Sequence, residues 1–504
     1  MNPLADALAA PLEHRKDAVL IRPDGSEVAG AELFALSGRI ANVLASAGVA
    51  PGDRVAVQTE KSVEALALYL ACLRVGALFL PLNTAYTTAE LEYFLGDAEP
   101  KVAVCDPAAE GALRPVAEAG GIALLTLGAD GAGSLMDRAG LAPVAFTDAE
   151  REPEDLVVIL YTSGTTGRSK GAMLSHGNLL SNAEALAEAW RFTSDDVLLH
   201  ALPIFHAHGL FAAVNVLLRV GGKMIFLPRF DLETVLAKLP DATTMMGVPT
   251  FYTRLLADPR FDRGLAAHIR LFVSGSAPLL AETHREFEAR TGHRILERYG
   301  MTETSMNTSN PYDGERRAGT VGMPLPGIEA RVADAETGRA LPQGEVGVLE
   351  VRGPNVFSGY WRMPEKTAEE FRDDGFFITG DIARVDADGY ITIVGRAKDL
   401  VISGGYNVYP KEVESEIDEM PGVVESAVIG APHPDFGEAV VAVVVAEPGA
   451  DVSEETVIAA LQAKLAKFKC PKRVFFVSEL PRNTMGKVQK NELRKTYEGL
   501  FSGG

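Results

Sequence analysis

Cysteine is scarce in this chain. Cys72, Cys105 and Cys470 are the only ones in 504 residues, and no two stand as a CxxC pair. That spacing argues against a disulfide framework and fits a reducing compartment. Positive charge is also in short supply: 48 Lys and Arg against 68 Asp and Glu give a formal net charge of -20. Without a basic footprint the chain is not a general nucleic-acid binder, and any anionic ligand must meet cations placed locally. The opening MNPLADALAA lacks the basic and long apolar regions of a secretory signal. The most membrane-like run, Val63 to Leu82, contains Glu64, Arg74 and Pro81 and reads as a buried helix followed by a strand. Internal repeats of solenoid period and low-complexity tracts are missing too. The expectation is a cytoplasmic protein of enzyme size, with neither nucleic acid nor membrane as a partner.

What is present is ample core material, 47% hydrophobic residues over a length that calls for two or more domains. Up to about Leu400, strand-like runs alternate with helical patterns: VAVQTE, then SVEALALYLACLRVG, then ALFLPL, with KVAVCD further on. This rhythm predicts a large α/β domain with layered, largely parallel sheets over residues 1–397. Residues 126–150 form a Gly/Ala-rich connection. Beyond Arg396 the character changes. PKEVESEIDEM and SEETVIAALQAKLAKF read as helices, the second with Ser453 as N-cap, and SAVIGAP and AVVAVVVAE read as strands. Residues 398–504 are therefore expected to form a small α+β domain.

The stretch YTSGTTGRSKG, residues 161–171, follows the apolar run Leu156 to Leu160. Its glycines permit turns that aim backbone N–H groups inward, its Ser and Thr hydroxyls add donors, and Lys170 adds a point charge, a combination suited to polyphosphate. A Walker A loop is excluded, because Lys170 stands three residues after Gly167 and is followed by Gly171.

This loop, together with PIFHAHG (203–209), SGSAPL (274–279), YGMTE (299–303), FFITGD (376–381), GRAKDLVISGGYNVYP (395–410) and PRNTMGKVQK (481–490), resembles the motif series of the AMP-forming acyl-CoA synthetases. These belong to the adenylate-forming superfamily, and the match extends over nearly the whole chain in order and spacing. The resemblance implies ATP, Mg²⁺ and coenzyme A as cosubstrates and cofactor, and a small C-terminal domain that is mobile. It implies that Lys487, His206, Thr302 and Glu303 carry the chemistry, with Glu303 also holding Mg²⁺. Thr162, Ser163, Gly164, Thr165, Thr166, Gly167, Lys170, Ser276, Ala277, Tyr299, Asp381 and Arg396 would bind ATP. Tyr299 would stack on adenine and Asp381 would hold the ribose hydroxyls. Gly404, Gly405 and Tyr406 would line the coenzyme A route, and Lys398 would be the hinge. Lys487 is by the same resemblance a target for a lysine acetyltransferase. His206 borders the acyl pocket; His208 receives no role. The HxH pair could chelate zinc, but no carboxylate or cysteine set of suitable spacing accompanies it.

The acid is read from charge. Arg298 precedes Tyr299, and Arg254 lies in VPTFYTRLL; converging in one pocket they would bind a second carboxylate bidentately. The competing reading pairs Arg298 with Glu297 and leaves Arg254 on a solvated helix face. ERYGMTET and IFHAHGLF are similar to the corresponding stretches of malonyl-CoA synthetases. A small dicarboxylic acid, malonate, is therefore expected, with small Ala207 and adaptable Met306 leaving room for methylmalonate. The alternatives are an aryl- or fatty-acyl-CoA synthetase, a peptide-synthetase adenylation module, a luciferase-like oxygenase, and a catalytically silent sensor of nucleotide and acid.

Overall fold

The alternating apolar runs become strands because β-branched residues fill positions covered on both faces, and each is followed by a helix that returns the chain. The computed structural model describes residues 1–162, 169–403, 406–483 and 486–501. The chain divides into two compact units, the first comprising Met1–Ala318, Gly322–Glu329 and Val351–Phe377, the second Gly319–Val321, Ala330–Glu350 and Ile378–Gly504.

The first unit holds two large sheets. In the seven-stranded sheet, Leu156–Thr162, Leu78–Pro81, Arg54–Gln58, Val102–Cys105 and Ala123–Thr126 run parallel side by side. Lys170–Ser175 adds antiparallel to Leu156–Thr162. Helix Val63–Val75, capped by Ser62, is buried at every position except Glu64, which accounts for its predominantly apolar sequence. Leu91, Phe94 and Leu95 of helix Thr88–Ala98 share a core with strand residues Leu78, Leu80 and Ala103. The connection at 126–150 includes a helix, Ser134–Leu141.

The nine-stranded sheet has a parallel centre in which Val197–His200, Thr244–Gly247, Leu271–Ser274 and Leu296–Met301 are successive neighbours. The chain then turns back antiparallel as Ser305–Ser309. Binding residues in such sheets gather where parallel strands end, and the motif residues sit there: Gly275 and Ser276 follow one strand, and Arg298 and Tyr299 lie on the next.

In the second unit, strand Gly437–Ala446 pairs with Val423–His433 and with Arg473–Phe476. Its period of two divides it between two cores. Val440, Ala442 and Val444 pack with Val413, Ile417, Val457 and Leu461; Val441, Val443 and Val445 pack with Leu480 and Leu493. The helices expected from sequence are Pro410–Asp418 and Glu454–Lys464, and Ser453 caps the latter. Strands Phe377–Val385 and Ile391–Arg396 pair antiparallel in a separate four-stranded sheet. Residues 378–397 thus cluster with the second unit, whereas the sequence reading counted them with the large domain.

Candidate active site

Arg298 is 4% exposed and has no acidic partner among the described residues. Its Nε and Nη2, the two donors along one edge of the guanidinium, find no hydrogen-bond partner there either. Glu297 is not its counter-ion, since a Glu297 carboxylate oxygen accepts from the backbone N–H of Leu279 at 3.1 Å. Burial pushes Arg298 down to about 9. An unpaired buried cation is costly, so this edge is built for an anion that arrives from outside, and its two parallel N–H groups suit a carboxylate.

Local backbone makes the space. Gly275 lies against the guanidinium: a Cβ there would fall 2.4 Å from Arg298 Cζ. Ser276 follows in the left-handed region at φ 72, a conformation that a non-glycine residue holds only where the surroundings impose it. Its Oγ lies 3.1 Å from His208 Nδ1. His208 is 1% exposed, and its Nε2 has no partner among the described residues. Burial, and then the charge of Arg298, hold its imidazole well below the usual range. The Tyr252 hydroxyl donates to the carbonyl of Val273 at 2.6 Å, and burial raises that phenol.

The neighbouring residues are placed around this centre. Ala207 and Met306 are both buried. Ala207 adjoins His208, and Met306 is the cross-strand partner of Gly300, two residues past Arg298. His206 is half-buried, and its Nδ1 accepts from the N–H of His208 at 3.3 Å. Arg254, on helix Pro249–Leu256, is exposed, with its guanidinium 5.9 Å from the Phe230 ring centroid. Thus Arg298 is enclosed and Arg254 faces water. No cluster of three metal-ligating side chains occurs among the described residues.

A second cluster involves the phosphate-loop motif. Thr162 and Lys170 face each other across an antiparallel pair of strands; Ser163, Gly164, Thr165, Thr166 and Gly167 between them lie outside the described residues. The element is a hairpin, whereas a Walker A loop leads into a helix. Lys170 Nζ bonds Glu370 at 3.0 Å and lies 3.9 Å from the Tyr360 ring centroid. The Tyr360 hydroxyl is 2.6 Å from Glu370 Oε2 and 3.0 Å from Glu303 Oε1. Burial first, and then Glu303, raise that phenol. Lys170 and Lys366 both pair with Glu370, and Glu303 adds a further carboxylate oxygen to the group. Buried Glu303 accordingly fits an oxygen-seeking cation such as Mg²⁺. Tyr299 and Thr302, close to Glu303 in sequence, are partly buried, as is Ala277 next to Ser276. Tyr360 and Glu370 went unnoticed in the sequence, because a lone Tyr and Glu in SGYWRMPEKTAEE carry no motif signal.

In the second unit, Asp381 and Arg396 are cross-strand partners, joined at 2.8 Å between Arg396 Nε and Asp381 Oδ1. Lys398 is exposed in the short helical turn Ala397–Asp399. Lys487 is exposed at the end of a tight turn. There the Asn483 side chain accepts from the N–H of Lys487 at 2.9 Å, and Asn483 N–H donates to the Lys487 carbonyl at 2.9 Å. Gly486 takes φ 74 in that turn. Tyr406 is 60% exposed and stacks on Phe468, centroids 4.7 Å apart. Gly404 and Gly405 lie outside the described residues.

The model for AMP-binding enzymes matches residues 9–361, and that for the AMP-binding enzyme C-terminal domain matches 412–487. The chain belongs to the AMP-binding enzyme family. Among solved structures, ATP-bound MatB from Rhodopseudomonas palustris superimposes with a TM-score of 0.97 at 60% identity, covering 99% of this chain and 100% of that one. A malonate–CoA ligase of Arabidopsis thaliana is 36% identical over 487 residues, 90% of this chain and 79% of the relative. A feruloyl-CoA synthase of an Amycolatopsis species is 38% identical over 485 residues, 95% and 96% of the two chains. The adenylate-forming fold expected from the motifs is therefore the fold of this chain.

Proposed function

We propose that this family member is an ATP-dependent acid–thiol ligase that converts malonate to malonyl-CoA through malonyl-adenylate. The observation that carries the choice of acid is the unpartnered Nε and Nη2 edge of buried Arg298, set beside His208. Its likeness to a malonate–CoA ligase at 36% identity supports the same reading.

A carboxylate must lose oxide to react with a thiol, and joining it to AMP supplies a better leaving group. In the first half-reaction a malonate oxygen attacks the α-phosphorus of ATP and pyrophosphate departs. In the second, the coenzyme A sulfur, having lost its proton, attacks the acyl carbon and AMP departs. Arg298 holds the distal carboxylate so that the reacting one has a single orientation. Ala207 and Met306 border the α-carbon and leave space for the methyl group of methylmalonate. Glu303 would hold Mg²⁺, which when bound would supply neutralisation of phosphate charge. Lys170 and the 163–167 segment serve the phosphates, Tyr299, Ser276 and Ala277 the adenine, and Asp381 and Arg396 the ribose. Lys487 supplies the cation for adenylation, assisted by Thr302, and His206 borders the thiol's approach. Coenzyme A passes along Gly404, Gly405 and Tyr406 after a swing about Lys398 of a small domain, 398–504. A reducing, cytoplasmic setting and control by acetylation of Lys487 complete the proposal. All three cysteines are buried and unpaired, and no helix among the described residues is long and apolar enough to cross a membrane.

The second reading, an aryl-acid ligase, is favoured by the exposure of Arg254, which leaves one enclosed guanidinium where two were expected. Pyrophosphate release over a panel of acids decides between them. Malonate is expected to lead, with methylmalonate second. A lead by ferulate or benzoate overturns the assignment, and an absence of release with every acid restores the silent sensor.

A further inference from the structure

Lys61 belongs to no motif, yet it is 7% exposed and has no carboxylate partner among the described residues. Its Nζ lies 2.6 Å from His200 Nδ1, 2.8 Å from the His200 carbonyl oxygen and 4.3 Å from the centroid of Phe226. His200 Nε2 is 2.8 Å from the carbonyl oxygen of Gly209. A carbonyl only accepts, so Nε2 carries the hydrogen and Nδ1 is the acceptor for Lys61. Every contact is satisfied with both side chains neutral. Burial pulls the Lys61 amine well below its usual range, in keeping with that state.

The contacts join parts of the first unit that are distant in sequence. Lys61 stands between strand Arg54–Gln58 of one sheet and helix Val63–Val75; His200 ends strand Val197–His200 of the other. Gly209 is the second residue of the π-helix His208–Asn215, a form found mostly as single turns at functional sites. Gly209 is fixed from its other side too, since a Cβ there would fall 2.0 Å from the Pro203 carbonyl oxygen. The far end of the π-helix is held by the same segment that carries Lys61, because the Tyr69 hydroxyl bonds Asn215 Oδ1 at 3.2 Å. The first residue of that π-helix is His208, whose Nδ1 lies 3.1 Å from Ser276 Oγ, and Ser276 follows Gly275, against which the Arg298 guanidinium lies.

We propose that Lys61 is a positioning residue: through His200 and the Gly209 carbonyl it fixes the π-helix so that His208 stands beside Arg298 where the acid binds. A neutral pair does this without adding a second charge beside Arg298, which must select the substrate. The inference rests on the reading that the acid binds at Arg298, and does not depend on which acid it is.

The test compares Lys61→Met, His200→Leu and His200→Gln for KM of the acid, KM of ATP, kcat and thermal midpoint, using whichever acid the parent protein activates best. Glutamine can still donate to Gly209 and accept from Lys61. The expected result is a rise of about tenfold or more in the KM of the acid for Lys61→Met and His200→Leu, with the KM of ATP within about twofold. His200→Gln is expected to stay near the parent, and the double variant Lys61→Met/His200→Leu to be no worse than the more damaged single, as one chain of contacts requires. An unchanged KM for the acid overturns the proposal. So does a uniform loss of all parameters together with the thermal midpoint, or failure of all the variants to fold, either of which marks a purely structural pair. A parent protein that prefers an acid without a second carboxylate, with the Lys61 split intact on that acid, overturns the substrate assignment alone.

Discussion

Gly275 and Arg298 are in direct apposition: the guanidinium occupies the space into which any side chain at 275 would project, with Cζ 2.4 Å from an ideal Cβ. The glycine is a requirement of its neighbour's side chain, because position 275 carries no left-handed φ. Gly275→Ala is therefore expected to fold and to displace Arg298. The KM for malonate should rise about tenfold or more, equivalent to about 1.4 kcal/mol, while the KM for ATP changes little. Steady-state kinetics with each substrate varied in turn checks this.

Arg298 itself should show a conflict between stability and function. Replacing an unpaired buried cation with an apolar side chain of similar length removes a desolvation cost. Arg298→Met is expected to raise the thermal midpoint by about 2 °C or more, for a gain of about 1 kcal/mol or more. The same variant should lose about 30-fold or more in kcat/KM for malonate, through loss of the paired charge. Differential scanning calorimetry of the unliganded protein and pyrophosphate release measure the two effects.

Lys487 is assigned to one half-reaction. Lys487→Gln, which removes the charge as acetylation does, should depress adenylation by about 100-fold or more and leave thioester formation from preformed malonyl-adenylate within about threefold. Equal loss in both halves, measured by single-turnover assays, would refute the role.

Asp418 gives the second unit a pH signature. Its Oδ1 accepts from the Ser426 hydroxyl at 2.7 Å, and burial raises it from 3.8 to about 6. A carboxyl raised in the folded state binds its proton more tightly there than when unfolded. Its contribution is fully present below about pH 4 and is lost as the pH rises through about 6. Asp418→Asn, neutral throughout, should therefore exceed the parent in stability at pH 8, and the difference should vanish towards pH 4. Urea unfolding followed by a probe in the second unit tests the sign.

Much of the architecture could be read in advance because its causes are local. The run Val63 to Leu82 reads as a buried helix and a strand, and it is the helix Val63–Val75 and the strand Leu78–Pro81. Ser453 caps its helix as expected, since a cap needs only residues three apart. The partition of residues 378–397 was less legible, because it depends on pairing between Asp381 and Arg396, which are cross-strand partners in the four-stranded sheet. In the site, the motif order drew attention to Arg298 and Glu303 but not to Tyr360, Glu370, Lys61 or His200. Each of those four acts through a partner more than 50 residues away or through a cluster, for which linear spacing offers no sign.

The order of residues alone determined the alternation of strands and helices, the loops rich in glycine and hydroxyls, and the acidic balance that obliges any anion to find its own cations. Those follow from periodicity, backbone freedom and net charge, which act over a few residues or over the whole chain. Only tertiary structure decided that Arg298 is enclosed, its Nε and Nη2 without a partner among the described residues, while Arg254 meets water. Burial and pairing are set by what surrounds a side chain in space, and here the surroundings come from Gly275 and Ser276 after one strand and from His208 at the start of the π-helix, which the fold brings together.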